Sequence, residues 1–307
     1  MLAGGLSFLA TTRAADPAVD FTATQRPTEW IIRLHGRPVM VYSFAPEKFK
    51  PYVKALHTTR GENVLRDSPS DHLHHHALMY GIRVNGVNFW EETPGCGVEK
   101  PIQTEAPVMG VSASGLPQAV VKQRLHWVAP EDAYQPDTTK GALLVEERTL
   151  TLTIDEPAGE VALAWRSAFT VGAKTNQVVL TGANYHGLGM RFPAELDPLA
   201  THQLAGGRPD LSNNRQDVSA HAWGAVSFDR PGAPATLALY GDPANARGPA
   251  TFFSMRTPFA YLSATQGLDK EPLVYRSGES FELKYLVVVT DRVLTPEAVA
   301  KRGQAAR

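Results

Sequence analysis

Apolar and polar residues alternate with a period of two along much of this 307-residue chain. Leu150, Leu152 and Ile154 alternate with threonines, and longer alternating runs occupy 161–171 and 281–289. Shorter runs rich in β-branched and aromatic residues lie near 29–34, 37–43, 118–128, 225–229, 236–240 and 251–255. A period of two is typical of strands with one buried face. The pattern therefore predicts an all-β protein.

A turn signal at Asn85-Gly86 separates two of the apolar runs. Both residues accept the positive φ angles that a type I′ turn requires. We therefore expect Leu78–Val84 and Val87–Trp90 to pair as a β-hairpin. A histidine-rich segment lies directly before the first strand of this hairpin.

Helical signals are scarce, and the clearest one is at the C-terminus. Thr295 is a suitable N-cap, Pro296 suits the first helical position, and Glu297 favours the positive end of a helix. We expect a short helix that ends near Arg302. Long alternating strands with few helices predict a large antiparallel β-sandwich, and a β-barrel is the alternative architecture.

No segment has the composition of a domain linker, so residues 15–307 are predicted to form one domain. Residues 1–14 contain a short apolar run, and small residues precede Ala15, a pattern typical of a signal peptide without its basic start. This pattern predicts a periplasmic or secreted protein. A net charge of −1 does not favour nucleic acid, and no run approaches the ~18 apolar residues of a membrane span.

Four of the ten histidines lie close together, at His72, His74, His75 and His76. If the segment is extended, His72, His74 and His76 point to one side and His75 points to the other. The three rings on one side could then bind one divalent metal ion together with a nearby carboxylate. Acid–base catalysis is the rival interpretation, because imidazole titrates near neutral pH. A polar turn without a catalytic role is the third.

Further candidate substrate-binding residues lie near the histidines in sequence or in glycine-flanked and strand-end segments: Arg60, Glu92, Asn184, His186, Arg191 and Arg256. Gly187 and Gly189 come just before Arg191, which indicates close approach of backbone or ligand there. The planar guanidinium of Arg191 suits an anionic or polyhydroxylated ligand. The next carboxylates after the histidines, Glu91 and Glu92, lie across a hairpin turn, which is the wrong spacing for a cupin-type metal site.

The segments Asp71–His76 and Val84–Trp90 resemble the signature of a bacterial family that carries the label methane oxygenase PmoA. The resemblance covers most of the chain after about residue 35. The chain departs from the family pattern at Leu73 and Ala77, and Ser254 stands where relatives often have a histidine. The label does not fit the sequence, because a membrane monooxygenase subunit needs several apolar spans. The resemblance implies a β-sandwich like that of galactose mutarotase and other carbohydrate-active proteins.

Three function classes remain open at this point. The first is an exported carbohydrate-active enzyme (a hydrolase, lyase or epimerase) in which the four histidines supply catalysis. In that enzyme Arg191 and Arg60 hold a sugar or glycan-derived substrate. The second class is a non-catalytic glycan-binding module. The third is a metal-dependent oxidoreductase built on the histidines.

Overall fold

The computed structural model of the protein describes residues 20–212 and 215–305, so the predicted signal segment at 1–14 lies outside the described residues. Antiparallel strands form most of this part of the chain. In chain order the strands are β1 (Phe21–Arg26), β2 (Glu29–Leu34), β3 (Arg37–Ser43), β4 (Tyr52–Leu56), β5 (Leu78–Gly81), β6 (Arg83–Val84), β7 (Val87–Asn88), β8 (Val98–Thr104), β9 (Val108–Val111), β10 (Pro117–Val128), β11 (Ala142–Asp155), β12 (Glu160–Val171), β13 (Gln177–Thr181), β14 (Gly187–Arg191), β15 (Ala200–Leu204), β16 (Gln216–Ala220), β17 (Gly224–Phe228), β18 (Ala235–Gly241), β19 (Thr251–Met255), β20 (Tyr261–Thr265), β21 (Leu273–Arg276) and β22 (Ser280–Thr290). The helices are two short 3-10 helices, Pro130–Asp132 and Ala194–Leu199, and the helix α1 (Pro296–Ala305).

Two large sheets and one small sheet contain these strands. The front sheet has the order β1-β2-β3-β4-β5-β14-β20-β19-β16. The back sheet has the order β15-β17-β18-β22-β12-β11-β10-β8, and β9 also pairs with β10. The small sheet has the order β21-β13-β6-β7. The three sheets are antiparallel, as the alternating sequence pattern predicts.

The main core lies between the front and back sheets. Leu78 and Tyr80 reach it from the front sheet, and Leu163 reaches it from the back sheet. Met79 points to the opposite face of the front sheet, because neighbouring side chains of a strand alternate. That outer face carries a second apolar cluster, formed by Tyr52, Met79, Trp90, Phe253, Phe259 and Tyr261. The front sheet is therefore apolar on both faces, and its outer face positions the candidate site.

The local turn and cap signals are confirmed. Asn85 and Gly86 have φ angles of 51° and 81° and join β6 to β7. Helix α1 begins at Pro296, and the Thr295 hydroxyl accepts a hydrogen bond from the Ala298 amide at 3.3 Å. Two open sheets packed around one core form a β-sandwich, so the predicted fold class is confirmed and the barrel alternative is wrong.

Helix α1 packs on the outer face of the back sheet, where Val299 contacts a cluster that includes Trp223 and Tyr240. Trp223 is therefore buried, and Trp90, packed against the other large sheet, is buried as well. In the described part of the chain, no helix is long and apolar enough to cross a membrane.

Candidate functional site

The histidine segment forms a turn-rich loop, here called the histidine loop (Asp67–His76), and the expected extended strand is wrong. The His72 amide donates to the Pro69 carbonyl at 2.9 Å, and the His75 amide donates to the His72 carbonyl at 2.9 Å. An isolated bridge between its two end residues closes the loop. Pro69 and the serines beside it favour turns, so the sequence did contain a signal for this shape.

Three of the four histidine rings in the loop converge. His72 and His75 stack with ring centroids 4.6 Å apart, and His74 meets His75 edge-on, also at 4.6 Å. Residues three positions apart come together in a tight turn, whereas in a strand they point to opposite sides. The predicted set of His72, His74 and His76 is therefore wrong, because His75 joins the first two rings and His76 is the ring that turns away.

His76 is fully buried between two carboxylates. Its Nδ1 is 2.7 Å from Asp67 Oδ1, and its Nε2 is 2.7 Å from Glu92 Oε1. The Tyr52 ring stacks on the imidazole at 4.1 Å, and the Tyr52 hydroxyl donates to Asp67 Oδ2 at 3.0 Å. Lys50, also buried, donates to Glu92 Oε1 at 3.0 Å. These five residues form a continuous chain of contacts, here called the His76 network.

Both carboxylates of the His76 network are ionised. Burial alone would raise the pKa of Glu92, but the hydrogen bond from His76 and the charge of Lys50 lower it to about 2. Burial also opposes the ionisation of Asp67, yet the hydrogen bond from His76 keeps its pKa below the ordinary value. Each carboxylate has one oxygen within hydrogen-bonding distance of a ring nitrogen of His76. Glu92 therefore belongs to the His76 network, and its predicted role in substrate binding stays a prediction.

A cavity of about 420 Å³ opens beside the three convergent rings, on the outer face of the front sheet. We call it the histidine pocket. Its polar wall is formed by His72, His74, His75, Glu91 and Gln216. Its aromatic and apolar wall is formed by Tyr185, Phe253, Met255, Pro258, Phe259 and Tyr261. A second cavity, of about 480 Å³, lies at the back sheet beside Arg166 and Lys284, away from every predicted site residue.

Arg191 supports the histidine loop from the neighbouring strand. Its Nη2 donates to Asp71 Oδ2 at 2.9 Å, and its guanidinium lies 3.2 Å from the centre of the Phe259 ring. The same Asp71 oxygen lies 3.2 Å from His72 Nδ1, at an angle that makes no hydrogen bond. Arg191 is only 2% exposed and does not line the pocket. Arg191 therefore holds the carboxylate beside His72, and its predicted role in ligand binding stays a prediction.

Two of the pocket histidines carry neutral rings near neutral pH. Burial, followed by the charge of Lys50, lowers the pKa of His74. Burial, followed by the neighbouring His74 and His72, lowers the pKa of His75 to about 2. A neutral imidazole offers one N–H donor and one acceptor nitrogen, so the pocket presents hydrogen-bonding groups without a large positive charge.

The other predicted binding residues lie outside the pocket lining. Arg60 is exposed, and its Nε lies 3.0 Å from Asp291 Oδ2. Asn184 lies in the turn before β14. His186 is buried and stacks on Trp90 with ring centroids 4.9 Å apart, and burial followed by the charge of Arg83 lowers its pKa to about 3. Arg256 lines a separate, smaller cavity.

Sequence reasoning missed the aromatic wall of the histidine pocket. Tyr185, Phe253 and Phe259 come from segments far from the histidines in sequence, and the order of strands in the front sheet brings them together. One signal pointed to this wall. A Cβ atom on Gly189 would lie 1.8 Å from the hydroxyl of Tyr261, so the predicted close approach at this glycine is confirmed.

The predicted metal set does not form. The two ring nitrogens of His76 are both occupied by carboxylates, so this ring cannot join His72 and His74 around an ion. Across residues 20–212 and 215–305, no group of three or more His, Cys, Asp or Glu side chains is arranged to hold a metal ion.

The fold and the site define an all-β sandwich protein with a histidine-lined pocket on the outer face of one sheet. The chain belongs to a family of unknown function, DUF6807, whose family model matches residues 29–304. The narrower resemblance to the family labelled methane oxygenase PmoA stays a prediction. A comparison with curated proteins found no match.

Solved structures with a related fold include an alpha-galactosidase from Lactobacillus brevis, at 7% identity and a TM-score of 0.45, with 89% of this chain and 40% of that chain covered. A glycoside hydrolase family 97 enzyme from Pseudoalteromonas sp. strain K8, in complex with panose, has 8% identity and a TM-score of 0.46, with 88% and 36% covered. A galactose mutarotase related enzyme from Lactobacillus acidophilus has 8% identity and a TM-score of 0.36, with 90% and 100% covered. This chain therefore spans about two fifths of the galactosidase length. At these TM-scores the likeness carries no argument about function.

Proposed function

We propose that the histidine pocket binds a sugar or glycan-derived ligand and transfers a proton on it. The observation that carries the proposal is one cavity of about 420 Å³ that combines an aromatic wall with uncharged imidazoles and a carboxylate. A cavity of that size falls in the usual range for small-molecule sites.

The walls of the pocket match the two kinds of surface on a sugar. Tyr185, Phe253 and Phe259 supply flat apolar surface that can pack against the C–H face of a sugar ring. His74 and Glu91 supply hydrogen-bonding groups for its hydroxyls. A few polar groups on a mostly apolar wall are typical of sites that orient a small ligand.

His72 is the candidate acid–base residue. Asp71, held by Arg191, lies on the Nδ1 side of the ring at 3.2 Å, which leaves Nε2 as the nitrogen available to a ligand. In the proposed reaction Nε2 accepts a proton from one position of the ligand and returns it to another, so no oxidant or reductant is required.

The pocket lining favours proton transfer over glycoside hydrolysis. Hydrolysis of a glycoside usually requires a pair of carboxyl groups on either side of the bond that breaks. Among the described residues that line the pocket, Glu91 is the single carboxylate. An epimerase or lyase reaction therefore fits this lining better than a hydrolase reaction.

The two other function classes give different results in the same experiment. A non-catalytic glycan-binding module would bind sugars in the pocket without converting them. A metal-dependent oxidoreductase would lose its activity in the presence of a chelator and would recover it when a divalent ion is added.

The test is a panel of neutral sugars and uronates in D₂O, followed by proton NMR for exchange of C–H hydrogens and for anomeric interconversion. We expect His72→Ala to lower turnover roughly 100-fold or more, the usual contribution of an acid–base residue. Phe253→Ala should mainly weaken binding. His35→Ala is the matched control, since His35 is half-exposed and pairs with Glu156. Turnover that His72→Ala leaves unchanged would reject the proposal.

A further inference from the structure

The smaller cavity that Arg256 lines has a volume of about 170 Å³. Met255 lines the histidine pocket, whereas the following residue, Arg256, lines the smaller cavity. The other polar residues of its wall are Thr201, His202 and Arg208. The proposed function does not use this cavity.

His202 is a buried imidazole whose polar atoms find no partner in the described part of the chain. It lies on β15, paired with Val226, and is 5% exposed. Neither Nδ1 nor Nε2 has a hydrogen-bond partner among residues 20–212 and 215–305. Buried polar groups are nearly always hydrogen-bonded, because a buried group without a partner loses its hydrogen bonds to water and gains none in return. The two nitrogens of this ring therefore indicate a ligand that occupies the cavity.

Two exposed arginines, Arg208 and Arg256, line the same cavity. Neither forms an ion pair or a side-chain hydrogen bond with any described residue. Most other arginines near a cavity of this protein are paired, as Arg166 is with Glu282 at the larger cavity. A guanidinium binds carboxylate, sulfate or phosphate oxygens through two parallel N–H groups, so two free guanidinium groups favour an oxyanion.

We propose that this cavity binds a small oxyanion, which Arg208 and Arg256 hold from the mouth and His202 contacts from inside. A water molecule occupies about 30 Å³ in the liquid, so the cavity has room for a sulfate-sized ion and a little water. Burial, followed by the charge of Arg256, lowers the pKa of His202 to about 4, so the empty cavity holds a neutral ring. That ring can donate one hydrogen bond to the anion.

The test is titration of the full chain with inorganic sulfate, inorganic phosphate and acetate, followed by isothermal calorimetry and by the imidazole nitrogen shifts of His202. We expect saturable binding of at least one anion and a shift change at His202. Arg256→Gln and Arg208→Gln should each raise the Kd at least tenfold, and both side chains are exposed, so the substitutions spare the core. Arg37→Gln is the matched control, because Arg37 is exposed on β3.

A uronate sugar distinguishes a free ion from an anionic substituent of a larger ligand. If glucuronate binds more tightly than acetate and its binding requires Arg256, the oxyanion is part of a sugar acid. If glucuronate and acetate bind with equal affinity, the ligand is a free ion. His72→Ala should leave the affinity for sulfate unchanged. The anion site can therefore be tested independently of the proposed function of the histidine pocket. Two results would overturn the proposed anion site. One is the absence of saturable binding. The other is an anion affinity that is the same in wild type, in Arg37→Gln and in a variant that combines Arg208→Gln with Arg256→Gln.

Discussion

His75 carries an imidazole that the structure keeps away from water. The side chain is 7% exposed and contacts the rings of Trp90, Phe259 and Tyr261, while its Nδ1 has no hydrogen-bond partner among the described residues. A positive charge in this position would lose its hydration, and the charge of Arg191 opposes it more strongly than the carboxylate of Asp71 favours it. His75 is therefore the aromatic floor of the pocket, and His72 and His74 are left for contact with solvent or ligand.

We predict that His75 does not titrate between pH 4 and pH 8. Burial, then His74 and His72, lower its pKa to about 2, so the ring stays neutral throughout that range. The measurement is the pH dependence of the imidazole resonances of His75 in a histidine-labelled sample. A midpoint for His75 near the ordinary value of 6.5 would contradict the buried geometry.

The histidine loop depends on the His76 network for its position. The loop has few apolar anchors, and Leu73 at its tip is 66% exposed. His76 connects the end of the loop to Glu92, which follows the hairpin, and Tyr52 on β4 covers the imidazole. The network therefore fixes the end of the loop from which His72 and His74 project into the pocket.

We predict that His76→Ala destabilises the protein by about 3 kcal/mol, because two partly buried carboxylates lose a hydrogen-bond partner and a cavity remains. The change leaves Asp67 and Glu92 without the imidazole between them and opens that cavity beside Tyr52. The measurement is the free energy of unfolding in urea. Tyr134→Ala should change it by less than about 0.5 kcal/mol, because the Tyr134 side chain is 93% exposed. Equal stability of the two variants would show that the network does not brace the loop.

We predict that Glu92→Gln removes part of the acid sensitivity of the fold. The pKa of Glu92 is about 2 in the folded state and 4.5 in the reference state. A group with a lowered pKa stabilises the folded state above its unfolded pKa, and this stabilisation disappears as the pH falls through the folded value. Wild type should therefore lose stability between about pH 4.5 and pH 2 more steeply than Glu92→Gln. If the free energies of unfolding of the two proteins fell in parallel between pH 4.5 and pH 2, the prediction would be wrong.

The turn at Asn85-Gly86, the strands and helix α1 could be predicted because their signals are local. The predicted hairpin is correct only at Arg83–Asn88, because Leu78–Gly81 pairs with β4 and β14 in the front sheet. Asn85-Gly86 specifies a turn by its φ angles, and alternation specifies which face of a strand is buried. The histidine loop differs from the predicted strand because the turn at Pro69 decides its shape, and the alternation of its histidines does not. The aromatic wall could not be predicted, because Phe253 and Tyr185 meet only through the order of strands in the front sheet.

At the scale of the whole molecule, one buried charge cluster lies between the sheets. Arg148 is 1% exposed and contacts Glu146 at 2.7 Å and Glu99 at 2.9 Å. One guanidinium cannot balance two ionised carboxylates, and Glu99 Oε1 is buried without a hydrogen-bond partner among the described residues. Burial, which outweighs the charge of Arg148, raises the pKa of Glu99 to about 8. The folded protein therefore holds a proton on Glu99 at neutral pH.

We predict that Glu99→Gln stabilises the protein at alkaline pH relative to wild type. Between about pH 4.5 and pH 8 the folded state binds more protons than the unfolded chain, so wild-type stability falls as the pH rises through this window. A glutamine keeps an oxygen for Arg148 and has no proton to lose. The measurement is urea unfolding at pH 6 and pH 9, with the exposed Glu147→Gln as the control. If the difference in free energy of unfolding between Glu99→Gln and wild type were no larger at pH 9 than at pH 6, a protonated Glu99 would be contradicted.

The path of the chain interleaves its two halves in both large sheets. The front sheet joins β1–β5 from the first third of the chain to β14, β16, β19 and β20, and β5 pairs directly with β14. In the back sheet β12 pairs with β22 along almost its whole length. A cut near the middle of the chain would open both sheets and expose the shared core. Neither half can therefore bury its apolar surface without the other.

We predict that the chain unfolds in one cooperative transition. A single core shared by both halves means that the loss of either half removes the packing partner of the other. The measurement is scanning calorimetry, with the calorimetric enthalpy compared with the van't Hoff enthalpy, and the two should agree. Limited proteolysis in the loops between strands, such as 130–141, is the complementary test. Two resolved transitions, or a proteolytic half that keeps its β-sheet circular dichroism, would show that the molecule consists of two folding units.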